Sequence, residues 1–114
     1  MSRRVEKPWG SELIWAETEK YAGKILTIKS GHKLSRQYHV KKEETIFVLY
    51  GTLLVEEGKD PNVIKHTLRK GQTFHVKPGL VHRFCAELGD VDIIEVSTPE
   101  LDDVVRIEDD YSRN

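Results

Sequence analysis

The sequence predicts an all-β fold, a sandwich or small barrel, and three observations carry that reading. Glycine and proline recur at short intervals, at Gly10, Gly23, Gly31, Gly51, Gly58, Pro61, Gly71, Pro78, Gly79, Gly89 and Pro99. The runs between them are short and rich in Val, Ile, Thr, Phe and Tyr, the residues that suit a pleated, half-buried surface. No window sustains a 3.6-residue apolar period over about three turns, so no amphipathic helix is expected.

Taken in order, residues 1–7 are polar, and Pro8-Trp9-Gly10 then sets a rigid bend beside a large aromatic. Trp9 reads as a core plug or as a contact with another subunit. Strands are expected at 24–29 (KILTIK), 45–50 (TIFVLY), 52–56 (TLLVE), 73–77 (TFHVK) and 91–97 (VDIIEVS). Residues 57–62 (EGKDPN) read as a long hairpin turn, and 101–106 as one helical turn or an edge strand. The end, IEDDYSRN, is charged and reads as a surface-bound or disordered tail in which Glu108, Asp109 and Asp110 are solvated.

Composition narrows the function classes. The chain has 114 residues, 32% charged and 38% hydrophobic, with formal net charge −1. That length suits one core rather than two. Eighteen basic against nineteen acidic residues leave no net field for nucleic acid or an anionic membrane. No apolar run approaches the ~20 residues of a membrane span. The N-terminus lacks the apolar segment of a secretory signal, and one cysteine excludes an internal disulfide framework and fits a reducing cytoplasm. The expectation is a cytoplasmic protein whose chemistry lies in residue spacing.

The informative stretch runs from Gly31 to Gly51. Gln37 and His39 are two residues apart, which in a strand puts both side chains on one face. Glu44 follows, and His82 comes later, just after the Pro78-Gly79 turn. If these strands line one barrel, the four residues converge as two imidazoles, a carboxylate and an amide oxygen. That set suits one divalent ion such as Zn, Mn, Fe, Co or Ni, with a position left for substrate. Strand parity puts Lys33 and Ser35 on the same face as these ligands, whereas Arg36 and Arg83 point away unless a bulge re-aims them. Lys33 and Arg36 are the candidates for substrate oxygens at the mouth, and Glu95 for a base or a partner of the ligands. His32, His66 and His75 read as surface or packing histidines, Tyr50 as core, and Cys85 as a buried small hydrophobe on the strand face opposite His82.

These residues resemble a known family. Gly31, Gln37, His39, Glu44 and Gly51 stand at the spacings of the first cupin motif, with glutamine in place of its first histidine. Gly71, Gly79 and His82 match the second motif, with Pro78 displaced by one place and Ala86 where asparagine is usual. KPWG at 7–10, LSRQYH at 34–39, PGLVHR at 78–83, IEV at 94–96 and RIEDDYSR at 106–113 are similar to one subfamily, the type II mannose-6-phosphate isomerase domain, which itself prefers glutamine at the first ligand position. There the domain usually forms the C-terminal part of a bifunctional enzyme with mannose-1-phosphate guanylyltransferase activity. The likeness spans about residues 7–113.

The resemblance implies a double-stranded β-helix, a small jelly-roll barrel at about 22–98, with an N-terminal arm at 1–21 and a C-terminal tail at 99–114. It implies a metal-dependent aldose–ketose isomerase that interconverts mannose 6-phosphate and fructose 6-phosphate, or a related pair, through an enediol. It also implies a homodimer, often built by exchanging terminal strands. Three departures lie near the implied barrel mouth: Val40-Lys41-Lys42 where the subfamily is histidine-rich, Arg36 where it is commonly hydrophobic, and the longer turn at 57–62. They leave two other classes open, a non-catalytic metal-binding cupin that binds a carbohydrate or other small molecule, and an iron-dependent oxygenase.

Overall fold

The computed structural model describes residues 2–111. It contains eleven strands and no helix among the described residues, so no helix is long and apolar enough to cross a membrane. The strands are β1 (Arg3–Lys7), β2 (Gly10–Glu17), β3 (Ala22–Ile28), β4 (Arg36–Tyr38), β5 (Glu44–Tyr50), β6 (Leu53–Glu57), β7 (Ile64–Leu68), β8 (Thr73–Val76), β9 (His82–Cys85), β10 (Val91–Ser97) and β11 (Val105–Glu108). A six-stranded sheet has the order β1-β2-β3-β10-β5-β8, and a five-stranded sheet the order β11-β4-β9-β6-β7. Every pairing is antiparallel.

Period-two alternation builds the core. Along β3 and β10 every second residue is buried: Leu26 and Ile28 on one, Val91 and Ile93 on the other. They pack with Ile46, Val48, Leu53, Val55 and Phe84 from the rest of the sandwich. Trp9 is 3% exposed and belongs to this cluster, so it is a core residue. Two glycines are required by close approach. A side chain at Gly10 would lie 1.9 Å from the Thr27 carbonyl oxygen, and one at Gly51, where φ is +82°, would lie 2.3 Å from that of Asp90.

The expected strands at 24–29, 45–50, 52–56, 73–77 and 91–97 correspond to β3, β5, β6, β8 and β10. Three readings change. Tyr50 is exposed, because a register irregularity between β5 and β10 carries it out of the core pattern. Residues 105–108 form an edge strand against β4, so the edge-strand alternative holds at 105–106 and the strand runs on into the first two residues of the tail. Glu108 and Asp110 are ion-paired rather than solvated. Glu108 lies 3.2 Å from Arg36, and Asp110 lies 2.7 Å from Arg83 and 3.4 Å from Lys33. The last residues of the tail motif, Ser112 and Arg113, lie outside the described residues.

Cys85 is buried on the face of β9 opposite His82. Burial, with the nearby Glu56, pushes its thiol up from 9.0 to about 11. The native protein should therefore resist thiol-specific alkylation at pH 8 and react only when unfolded. Because the folded value is the higher one, the contribution of Cys85 to stability is complete below pH 9 and is lost as pH rises toward 11. Denaturant melts of wild type and Cys85→Ala across that range should show wild type losing more.

Candidate metal centre and cavity

Four strands deliver the site. His39 follows β4, Glu44 opens β5, His82 opens β9, and Glu95 lies in β10. All four side chains are buried. His39 Nε2 is 2.9 Å from Glu44 Oε1, and His82 Nε2 is 3.6 Å from the same oxygen. One donor atom from each of His39, Glu44 and His82 lies within 4.8 Å of the others.

The tautomers follow from the outer hydrogen bonds. His39 Nδ1 lies 2.6 Å from the Asp103 carbonyl, and His82 Nδ1 lies 2.9 Å from that of Leu80. A carbonyl only accepts, so each Nδ1 carries the proton and each neutral ring turns the Nε2 lone pair toward Glu44. His82 Nε2 and Glu44 Oε2 are buried with no hydrogen-bond partner among the described residues. Lone pairs converging on a carboxylate in a dry interior call for a cation between them. The donor set of two imidazoles and a carboxylate fits a divalent ion.

The surrounding charges are arranged for the same purpose. Burial opposes ionisation of Glu44, but a hydrogen bond from Glu95 and the Lys42 ammonium hold it well below the usual carboxylate range. Burial and the neighbouring Glu44 push Glu95 up to about 8, while Lys42 and Lys24 pull it back. Lys42 Nζ is 2.9 Å from Glu95 and 3.8 Å from Glu44. Burial would lower its ammonium, yet these carboxylates hold it above its ordinary value. Burial keeps His82 below its ordinary value, in keeping with the neutral ring.

The site opens into a cavity of about 270 Å³. Gln37 lines it, in register with His82 on the neighbouring strand, and its amide oxygen accepts a hydrogen bond from the Ser35 hydroxyl. Glu95 lines it too. Lys33 and Arg36 are not at the mouth where the sequence reading puts them. Lys33 precedes β4, bridges Cys85 on the outer side and pairs with Asp110. Arg36 points away from Gln37, as strand alternation requires, and is held by Glu56 at 2.6 Å, the Gly58 carbonyl at 2.9 Å and Glu108. His32 hydrogen-bonds Tyr111, His66 pairs with Glu57, and exposed His75 pairs with Glu43, all away from the ligands.

Sequence reasoning missed Lys42, Asp103, Lys24 and Glu12. Lys24 and Glu12 are a largely buried ion pair at 3.4 Å on the cavity wall. Alternation could have found them, since both share an inward face with apolar core residues. Asp103 carries no such signal. Its carboxylate accepts the backbone N–H groups of Val40, Lys41 and Lys42 at 2.6–3.0 Å, while its carbonyl orients His39. Those three amides hold the carboxyl down at about 2, so the clamp persists to low pH and loosens only as pH falls from about 4 toward that value.

Comparison with known proteins gives a consistent likeness. The family model described as mannose-6-phosphate isomerase C-terminal matches residues 1–109. ManC of Salmonella typhimurium, a mannose-1-phosphate guanylyltransferase, is 34% identical over 99% of the chain, and the xanthan biosynthesis protein XanB of Xanthomonas campestris is 31% identical over 97%. In both cases the chain spans only 24% of the relative's length. Among solved structures, KdgF from Halomonas superposes with TM-score 0.75 at 20% identity, covering 90% of each chain. CapF from Staphylococcus aureus gives 0.76 at 18%, covering 95% of this chain and 34% of its own. A Klebsiella pneumoniae protein described as a double-stranded β-helix domain gives 0.72 at 20%, covering 83% of this chain and 81% of its own. These structural likenesses establish the fold.

Removing the Asp103 carboxylate frees three amides beside His39 and should weaken metal retention about 10–100-fold. Competition with a chelator, comparing wild type with Asp103→Ala, reads this directly. Unchanged far-UV circular dichroism would separate it from unfolding.

Proposed function

The chain belongs to the mannose-6-phosphate isomerase C-terminal family, a cupin fold, and from that premise we propose that it is a metal-dependent sugar-phosphate aldose–ketose isomerase. The observation that carries the reading is the convergence of His39, Glu44 and His82 beside a cavity that His39 and Glu44 line together with Glu95, Lys42 and Gln37. His39, Glu44 and His82 would hold one divalent ion, with the Gln37 amide oxygen as the fourth protein donor. Such an ion, when bound, polarises a carbonyl and favours the negative charge that develops on it. The interconversion is redox-neutral. The C2 proton is removed and one is returned at C1, while the hydroxyl proton on O2 passes to O1, so an aldehyde at C1 becomes a ketone at C2. Glu95 is the carboxylate placed to carry the carbon-bound proton, and Lys42, 2.9 Å away, holds it in position. The buried walls, Leu26, Leu34 and Phe84 among them, keep bulk water from the reacting carbons.

The test is metal analysis of the purified protein, followed on the same sample by a coupled assay of mannose 6-phosphate and fructose 6-phosphate interconversion. Glu44→Gln should lose metal and activity together. Glu95→Gln should keep the metal and lose activity by 10²-fold or more. Stabilisation by mannose 6-phosphate with no turnover would replace this reading with a metal-dependent binding module. Oxygen uptake with Fe(II) would replace it with an oxygenase.

We further infer a homodimer formed through the outer face of the six-stranded sheet. On that face Leu13, Ile25, Ile94 and Phe47 stand in direct register across β2, β3, β10 and β5, flanked by half-exposed Val96 and Trp15. Across β3, β10 and β5 the face carries one charge, Asp92, whereas the opposite sheet's outer face is belted with ion pairs. A solvated outer face should be polar. An uncharged apolar row can pack against its own copy through a twofold axis in aligned sheet packing. Light scattering should give a dimer for wild type and a folded monomer for Phe47→Glu. A monomeric wild type at micromolar concentration would sink the idea.

A further inference from the structure

Resting on the sugar-phosphate reading above, we propose that Arg106 and Arg3 form the phosphate-binding subsite of the cavity. They come from the two edge strands, β11 of one sheet and β1 of the other. Strand register locates both. Arg106 is opposite Gln37, and Gln37 is opposite His82, so the three form one row on the inner face of the five-stranded sheet. Two strand spacings separate Arg106 from His82, about 10 Å between backbones. In the other sheet the row runs Glu95, Lys24, Ile14, Arg3, so Arg3 terminates the row that contains Glu95. Each arginine therefore ends a row that begins in the ligand cluster or beside it. A substrate whose reacting carbons sit over the cluster has its far end directed toward them.

The other cavity cations are excluded by what they already touch or where they lie. Lys42 is committed to Glu95 and Glu44, and Lys24 to Glu12. Lys7 lines the cavity too, but it lies four residues along β1 from Arg3, about 13 Å away, in the row of Gly10 and Ile28. Arg36 and Arg83 face the outer side of their sheet, inside the ion-pair belt.

The two arginines remain available. Arg106 has its carboxylate contact, Asp109, at 4.0 Å, the outer limit of an ion pair. Arg3 is held at 3.0 Å by Glu17, but both side chains are about half exposed, and such a pair is weak enough to exchange for a ligand. Asp102 also lines the cavity and opposes an anion, and the rim cations outnumber it. A guanidinium offers a planar fork of donors that matches a phosphate bidentately and stays charged at every working pH. Two of them at the mouth fit a phosphate monoester on the substrate's far end better than a neutral sugar.

The experiment compares mannose 6-phosphate with mannose in calorimetric titration and turnover on metal-loaded protein. The variants are Arg106→Gln, Arg3→Gln and, as a control on exposed β7 away from the cavity, Lys65→Gln. Inorganic phosphate is titrated in parallel. Arg106→Gln should weaken binding of mannose 6-phosphate and of inorganic phosphate tenfold or more, and Arg3→Gln severalfold. Mannose binding, metal content and the Lys65→Gln protein should be unchanged. Equal losses for both sugars, or no loss in either arginine variant, would overturn the subsite. Should Arg106→Gln misfold by circular dichroism, Arg3→Gln decides. The two readings fail separately. Arginine-dependent phosphate binding without turnover leaves the subsite and removes the isomerase. Turnover with an unchanged KM in both variants leaves the isomerase and removes the subsite.

Discussion

A carboxylate enclosed between two sheets is the constraint around which the rest is arranged. Glu44 is 3% exposed, and an isolated ionised carboxylate in such surroundings is too costly to persist. It is kept charged by Glu95 on β10 and by Lys42 from the turn ahead of its own strand, while His39 after β4 and His82 on β9 turn their rings toward it. Each neighbour is itself buried and meets the same requirement. Lys42 answers to Glu95, and the two histidines are fixed by backbone carbonyls through their outer nitrogens. The result is a polar cluster inside an aliphatic sandwich, which ties the register of both sheets to a single point. A one-residue slip of β5 would put Thr45 inside and Glu44 outside, leaving Lys42 and Glu95 with a different balance.

Support for the cluster extends to the chain's end by a traceable route. Arg36 and Arg83 lie on the outer face of the five-stranded sheet and bind Glu108 and Asp110. These ion pairs, with the β4 pairing, hold β11 against the sheet. Holding β11 fixes the turn that precedes it, and Asp103 in that turn orients His39 and caps the amides of 40–42. The ion-pair belt thus has a consequence beyond its own stability. It places the second coordination layer of a site on the other side of the sheet.

Much of this was legible in the sequence, for identifiable reasons. The strands β3, β5 and β10 declare themselves because each is a short run rich in Val, Ile, Thr, Phe or Tyr between turn signals. The buried cluster is legible because His39, Glu44 and His82 stand at motif spacings relative to turn glycines. What was not legible depends on pairings distant in sequence. The N-terminal segment reads as polar until β1 and β2 are placed at the sheet edge, where their inward residues become a cavity wall. Lys33 follows the parity of Gln37, yet it falls outside because β4 is only three residues long and parity has no meaning beyond a strand's end. Arg36 was placed at the mouth on its residue type, whereas alternation already turned it outward. Asp103 is silent, since one aspartate in a charged stretch gives no sign that three amides will meet it.

The charge of the cavity is graded, and the gradient separates two tasks. Its deep cations and carboxylates are paired with one another, Lys24 with Glu12 and Lys42 with Glu95 and Glu44. That part presents little net field, and it is where bond-making requires fixed geometry. The rim, set by edge strands and a loop, carries the exposed and weakly held pairs, Arg3 with Glu17 and Arg106 with Asp109. Edge strands tolerate substitution better than the central ones, because fewer neighbours constrain them. One barrel can therefore keep its buried polar cluster while its rim is retuned. On the proposed reading, the residues that select a substrate lie in β1 and β11, rather than in the motif around the buried cluster.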